Sequence, residues 1–322
     1  MSQIELQTQQ FCRLYREQTE AAFDRALSEI ENVHLMNEGE LSERLQEALV
    51  TAETEWFDAE QDALRQMTPR AFVQSLESTE DRLEFIRTSA LHMDEALPPE
   101  LANILRAHAG DLEPQLTEWA EQGHQIAFDG SENLPSELLL AMRAADLLGK
   151  WRVPPSRSRL LDSYIKIDEP APIWSETVQH YLEAQGAPAI DPIVALIDRE
   201  HEEYGEAGSA AKRSGQPKLR ERREAEDYLL MALTAIGQDA PDERIYRILR
   251  RSFKETSPRL IPVICLGDYG DPRAVTLLRH YLIREASMTD EMTYYEIVST
   301  IQRLGGQIDD LPDPFTPNNM KR

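Results

Sequence analysis

The first 149 residues contain no lysine, and the 322-residue chain carries two cysteines, 14 glycines and no apolar run of membrane-spanning length. Each shortage excludes something. Cys12 and Cys265 stand far apart with no CxxC pair, so a zinc knuckle or disulfide framework has no basis and a reducing compartment is expected. Without roughly 18 consecutive apolar residues there is no transmembrane helix, and no membrane partner is expected. Met1–Gln10 (MSQIELQTQQ) lacks both the basic start and the apolar core of a secretory signal, which leaves a cytoplasmic address as the expectation. Phosphate loops and nucleophile elbows are missing too: there is no GxxxxGK[ST], no GxGxxG after a strand pattern and no GxSxG. The seven histidines, at 34, 92, 108, 124, 180, 201 and 280, show no ligand spacing, so no metal, cofactor or catalytic residue is assigned.

What is present is acid, unevenly spread. Residues 1–130 hold 27 acids against 9 arginines, a net of −18, out of −24 for the whole chain. An acidic half repels phosphate backbones, so nucleic-acid binding is disfavoured, and the asymmetry marks two regions with different surfaces. The expected division is an acidic N-terminal helical domain over 1–130, a repeat region over 131–310 and a Pro-rich tail over 311–322.

Every apolar stretch recurs at helical spacing and none alternates as a strand does, so the fold class is all-α. Ile4, Phe11, Leu14, Ala22, Leu27 and Ile30 predict one helix over 3–33. Leu41, Leu45, Leu49, Ala52, Trp56, Ala63 and Met67 predict a second over 38–67, turning back near Met36–Gly39. Thr68 before Pro69 reads as an N-cap with proline in the first turn, and Thr79 followed by two acids starts a helix through Met93.

From about residue 134 the pattern becomes a repeat. Apolar helix, short turn and second apolar helix recur in 144–164, 180–199, 231–251 and 263–282, with a half-unit at 299–306. Glycines at 149, 186, 237, 270 and 305 read as turn positions. Their separations are 37, 51, 33 and 35, and removing about one loop's worth of the charged segment 201–224 from the long interval restores a period in the mid-thirties. Ile245, Ile248, Leu249 and Phe253 align with Ala274, Leu277, Leu278 and Leu282 at a constant offset, which turns one apolar face inward in both units.

The best unit, LGDYGDPRAVTLLRHYL (266–282), resembles the HEAT-like repeats of the phycobilin-lyase type. The resemblance covers about 134–306 and implies an αα superhelix, an armadillo-like solenoid behind an N-terminal helical hairpin or bundle. HEAT-like deoxyhypusine hydroxylases place several His-Glu pairs around two irons; one pair, His201-Glu202, does not build that site. HEAT-like DNA glycosylases need a basic groove, which the acidic charge opposes.

Two basic features stand out. The insertion GEAGSAAKRSGQPKLRERRE (205–224) reads as a loop carrying Lys212, Arg213, Lys218, Arg220, Arg222 and Arg223, either a grip for an acidic partner or phosphate or a plain flexible insertion. Arg244, Arg247 and Arg251, at i, i+3 and i+7, with Arg273 and Arg279 one repeat on, form a ridge. That ridge either faces a partner, as second helices commonly do in solenoids, or pairs with the acidic N-terminal half. The expected function is a non-enzymatic protein-interaction scaffold binding another, possibly acidic, protein on the second-helix face. The alternatives are a lyase- or chaperone-type protein handling a small molecule, and nucleic-acid binding through the basic loop.

Overall fold

A computed structural model describes residues 2–29, 37–93, 96–123, 126, 134–165, 170–209 and 219–315. Among these the protein is all-α, with fifteen α-helices and two strands of two residues each. It divides into two compact units, Met1–Trp151 and Arg152–Arg322.

The first unit begins with α1 (Gln3–Glu29) lying against α2 (Glu38–Asp58), which Asn37 opens by accepting a hydrogen bond from the Glu40 amide. The apolar stripes of the two helices meet α3 (Pro69–Gln74) and α4 (Thr79–His92) in an aromatic core of Phe11, Tyr15, Trp56, Phe57, Phe72 and Phe85. Phe11 sits edge-on to Trp56 and Phe85, with ring centroids 5.2 and 5.5 Å apart. Such pairs add about 0.5–1.5 kcal/mol each beyond the burial itself. Thr68 caps α3 as its sequence predicts, while α4 is capped one residue earlier than expected: the Ser78 hydroxyl accepts from the Asp81 amide.

Two boundaries depart from the sequence reading. Periodicity carries the second helix to Met67, yet α2 stops at Asp58 and the chain forms a 3-10 turn over Asp62–Leu64. Arg65 and Gln66 take left-handed conformations there, and Gln61 pairs with Met67 across the turn. The gain that offsets two strained residues is the complete burial of Leu64. The second departure concerns α7 (Ser136–Trp151), read from sequence as the first helix of the repeats. It packs with α4, α5 (Pro99–Arg106) and α6 (Ala109–Gln122). Polar ties hold it there: Trp151 Nε1 donates to the Ala102 carbonyl at 2.9 Å, Lys150 Nζ to that of Leu97 at 3.2 Å, and Arg143 to that of Met93 at 3.3 Å. The division thus falls after Trp151, not after residue 130.

The second unit is built from helix pairs. First helices α9 (Pro172–Gln185), α11 (Glu224–Asp239), α13 (Leu260–Tyr269) and α15 (Glu291–Arg303) stack in chain order, each on the next. Among the second helices, α10 (Ile190–Ser209) touches α8 (Pro154–Tyr164) before it and α12 (Glu243–Glu255) after it; α14 (Arg273–Glu285) packs on α15. Contacts therefore run mainly between neighbouring pairs, as in a helical solenoid. The aligned apolar positions face inward as expected, except Leu277, which is half-buried. Ile193, Ile245, Leu249, Phe253, Ala274, Leu278 and Leu282 are all buried.

The glycines do two different jobs. Gly270 closes α13 in the left-handed region (φ 80°), where a side chain would be strained, and Asp271 and Pro272 then lead into α14. Gly149 and Gly237, by contrast, lie inside α7 and α11 and are not turn residues. A methyl group at Gly237 would lie 2.6 Å from a ring carbon of Tyr269 on α13, and one at Gly267 would collide with Arg303 and Thr300 on α15. At Gly237 the obstacle is a ring held in the interior, whereas at Gly267 it is mainly the mobile end of Arg303, so the first position depends on glycine more strictly than the second.

Candidate binding face

Of the insertion, Lys212, Arg213 and Lys218 lie outside the described residues. Of the other three basic residues, Arg220 and Arg222 are buried and Arg223 is exposed. Residues 220–221 form a short strand parallel to 256–257, and the Arg222 amide donates to the Ser257 carbonyl at 2.8 Å. Arg220 is buried in a two-pronged pair with Glu226, at 2.6 and 2.7 Å. Arg222, its side chain fully buried, holds Asp227 at 2.5 Å and the Thr256 hydroxyl at 2.8 Å. Arg223 donates to the Ile165 carbonyl and pairs with Glu200. Two of these cations, Arg220 and Arg222, are neutralised by acids six and five positions downstream, at 226 and 227. Burial still pushes the Asp227 carboxyl above its usual range, against the pull of Arg222.

Beside this strap His201 is half-buried, its Nε2 3.5 Å from Arg220. Burial, reinforced by the charges of Arg251 and Arg220, lowers its pKa to about 4, so the imidazole is neutral at pH 7. The two cysteines are buried, and burial pushes both thiols up to about 12, which removes them as nucleophiles.

The arginine ridge separates into two classes. Arg244 pairs with Asp191 at 2.7 Å, and Arg273 with Glu243 at 2.7 Å. These two pairs are equivalent under the repeat: an acid in the first turn of one second helix meets an arginine of the next. Each arginine also grips the acid two residues before it, Asp242 or Asp271, which in turn accepts the arginine's own backbone amide. These bonds hold both carboxyls below the usual range. Arg273 additionally lies over the Tyr246 ring, 4.1 Å from its centroid. Arg251 reaches Asp198 on α10 at 2.5 Å, and Arg279 holds Asp310 at 2.7 Å. Four of the five ridge arginines are thereby satisfied inside the second unit, as ties between neighbouring pairs or to the segment after α15. The ridge was expected either to face a partner or to pair with the acidic N-terminal half, and the acids these four meet, at 191, 198, 243 and 310, belong to neither. Residues seven apart, such as 244 and 251, instead share the edge of α12 that borders α10.

Arg247 is the exception. It is exposed and closes no ion pair among the described residues; its charge only helps depress the carboxyls of Asp242 and Glu243. Arg250 and Lys254, three and seven positions on, are exposed on the same face and likewise close no pair among the described residues. One repeat later, Ile283 stands at the position of Lys254, 58% exposed, with exposed Arg284 beside it. The face is cationic with an apolar edge. Sequence reasoning missed Arg250, Lys254, Ile283 and Arg284, although the i, i+3, i+7 spacing of Arg247, Arg250 and Lys254 was there to be read.

No family model, curated protein or solved structure matches the chain. Function must therefore be argued from the site's own chemistry. Among the described residues no group of three or more histidine, cysteine or acidic side chains is arranged to hold a metal, and no helix is long and apolar enough to cross a membrane.

Proposed function

We propose that the second unit is a protein-binding scaffold of the HEAT-like kind, and that its docking surface is the outer face of α12 continued onto α14. One observation carries this reading: Arg247, Arg250 and Lys254 line a single helix face and close no ion pair among the described residues, in a chain of net charge −24 whose neighbouring arginines are nearly all paired. Cations left in water beside an exposed Ile283 fit an acidic segment that carries an apolar residue. The acids elsewhere on the chain discourage longer polyanions, and opposite charge across such a face mainly sets encounter rate and specificity.

The test is a calorimetric titration of the full chain with acidic peptides of about a dozen residues, with and without a leucine placed among the glutamates. Binding should weaken several-fold between about 50 and 200 mM salt, strengthen with the leucine, and be lost in Arg247→Glu/Arg250→Glu. Affinity that ignores both salt and the double substitution would refute the proposal.

A further inference from the structure

The first unit holds a cleft of about 280 Å³ lined by Val73 and Gln74 at the end of α3, Arg82 on α4, Asn103, Ile104 and Leu105 on α5, and the Ala107–His108 turn. Arg82 is 9% exposed. Among the described residues its guanidinium makes no hydrogen bond and no ion pair, and no aspartate or glutamate lines the cleft. Its backbone is ordinary helix, the amide donating to the Ser78 carbonyl. The side chain stands on the apolar stripe of its helix, three and four residues before the buried Phe85 and Ile86. Every other buried arginine described here has an internal acceptor: Arg143 a carbonyl, Arg220 and Arg222 carboxylates. Most of the side chain is covered while its guanidinium nitrogens keep access to solvent at the cleft, which leaves them open to an acceptor from outside the chain.

We propose that this cleft binds a small organic monocarboxylate, its head group on Arg82 and its short chain against Val73, Ile104 and Leu105. A planar guanidinium takes a carboxylate through two parallel N–H···O bonds. Gln74, Asn103 and His108 carry further polar groups at the same cleft, and none of their side chains has a partner among the described residues. The volume lies at the low end for ligand sites, which sets the size of the guest. The choice of a single negative charge follows from the surroundings: one cation serves the site, and residues 1–130 carry a net −18, a field that penalises a dianion such as phosphate.

The experiment uses the full chain and butyrate, hexanoate and inorganic phosphate as probes, read by NMR shifts of the Arg82 Nε–H and the His108 ring. Butyrate or hexanoate should move both signals saturably, phosphate should not, and Ile104→Trp, which fills the cleft while leaving Arg82 in place, should abolish the effect at His108. Arg82→Met, which keeps most of the apolar stem and removes the charge, should abolish it as well. Three results would each overturn the proposal: no saturable shift with either carboxylate, phosphate binding as well as they do, or carboxylate shifts at His108 that persist in either variant.

Discussion

Replacing Gly237 by alanine tests the stacking of the second unit at a point where local and tertiary effects have opposite signs. In an open helix the change stabilises by about 1 kcal/mol, because alanine restricts the unfolded backbone and favours the helical one. Here the new methyl would lie 2.6 Å from Cε2 and 3.0 Å from Cδ2 of Tyr269, and 2.9 Å from Cδ1 of Ile245. Ordinary carbon contacts begin near 3.4 Å or more, so the ring would have to retreat by roughly 0.8 Å. It is not free to do so. The Tyr269 hydroxyl donates to the Asp242 carbonyl at 2.9 Å and accepts from the Asp242 amide at 3.3 Å, which ties the ring to the start of α12. Overpacking of this kind costs about 1–3 kcal/mol. Subtracting the helical gain leaves a net loss of about 1 kcal/mol. Gly110 in α6, where nothing lies within 4 Å of the added methyl, serves as the control and should be neutral or stabilised. The assay is urea unfolding of both variants, and the Gly237→Ala penalty should shrink in a Tyr269→Leu background, since the two sites share the contact. A Gly237→Ala protein more stable than the parent by about 1 kcal/mol would refute the close approach of α11 and α13.

Three further outcomes follow from the same structure. Leu278→Ala empties a fully buried position on α14 and should cost about 2–5 kcal/mol in denaturant unfolding; a near-neutral result would mean that the repeat register is wrong. Arg222→Ala removes a fully buried guanidinium from the half-buried Asp227 and the Thr256 hydroxyl and should cost about 3–5 kcal/mol, with faster amide exchange over 219–223; unchanged exchange would show that the strap is held by its backbone alone. His201 titrates near 6.5 when unfolded and about 4 when folded, so the unfolded chain binds the extra proton between those values. Its share of stability is complete above pH 6.5 and declines as the pH falls toward 4. His201→Gln should therefore flatten stability against pH in that window, and an unaltered slope would contradict the buried, neutral imidazole.

The all-α class, the capped start of α3 and the inward face of the repeats were legible because each rests on local chemistry: helical spacing, a Thr-Pro pair, a Gly-Asp-Pro turn. The assignments that changed depend on contacts distant in sequence. Gly149 and Gly237 have the composition of turns, yet Gly237 is demanded by Tyr269, thirty-two positions away. α7 reads like a repeat helix, and its hydrogen bonds to the carbonyls of Met93, Leu97 and Ala102 assign it to the first unit. Arg220 and Arg222 look like solvated charge until Glu226 and Asp227 fold back on them. The ridge was seen in outline, but which of its arginines stay in solvent depends on which edge of α12 meets the acids of α10. Arg82 left a trace in the sequence, a cation at an apolar position of α4, that means little until the walls around it are assembled.

The central claim is that the unpaired cations of α12 recruit a partner while the paired arginines hold the stack together. Quantitative affinity capture from cytosol with the full chain tests it most directly, comparing the parent, Arg247→Glu/Arg250→Glu and Arg244→Ala/Arg273→Ala at one salt concentration and below both variants' thermal midpoints. The account predicts that a defined protein is retained by the parent and by the second variant and lost from the first. Retention of that protein by Arg247→Glu/Arg250→Glu at the parent's level would contradict it.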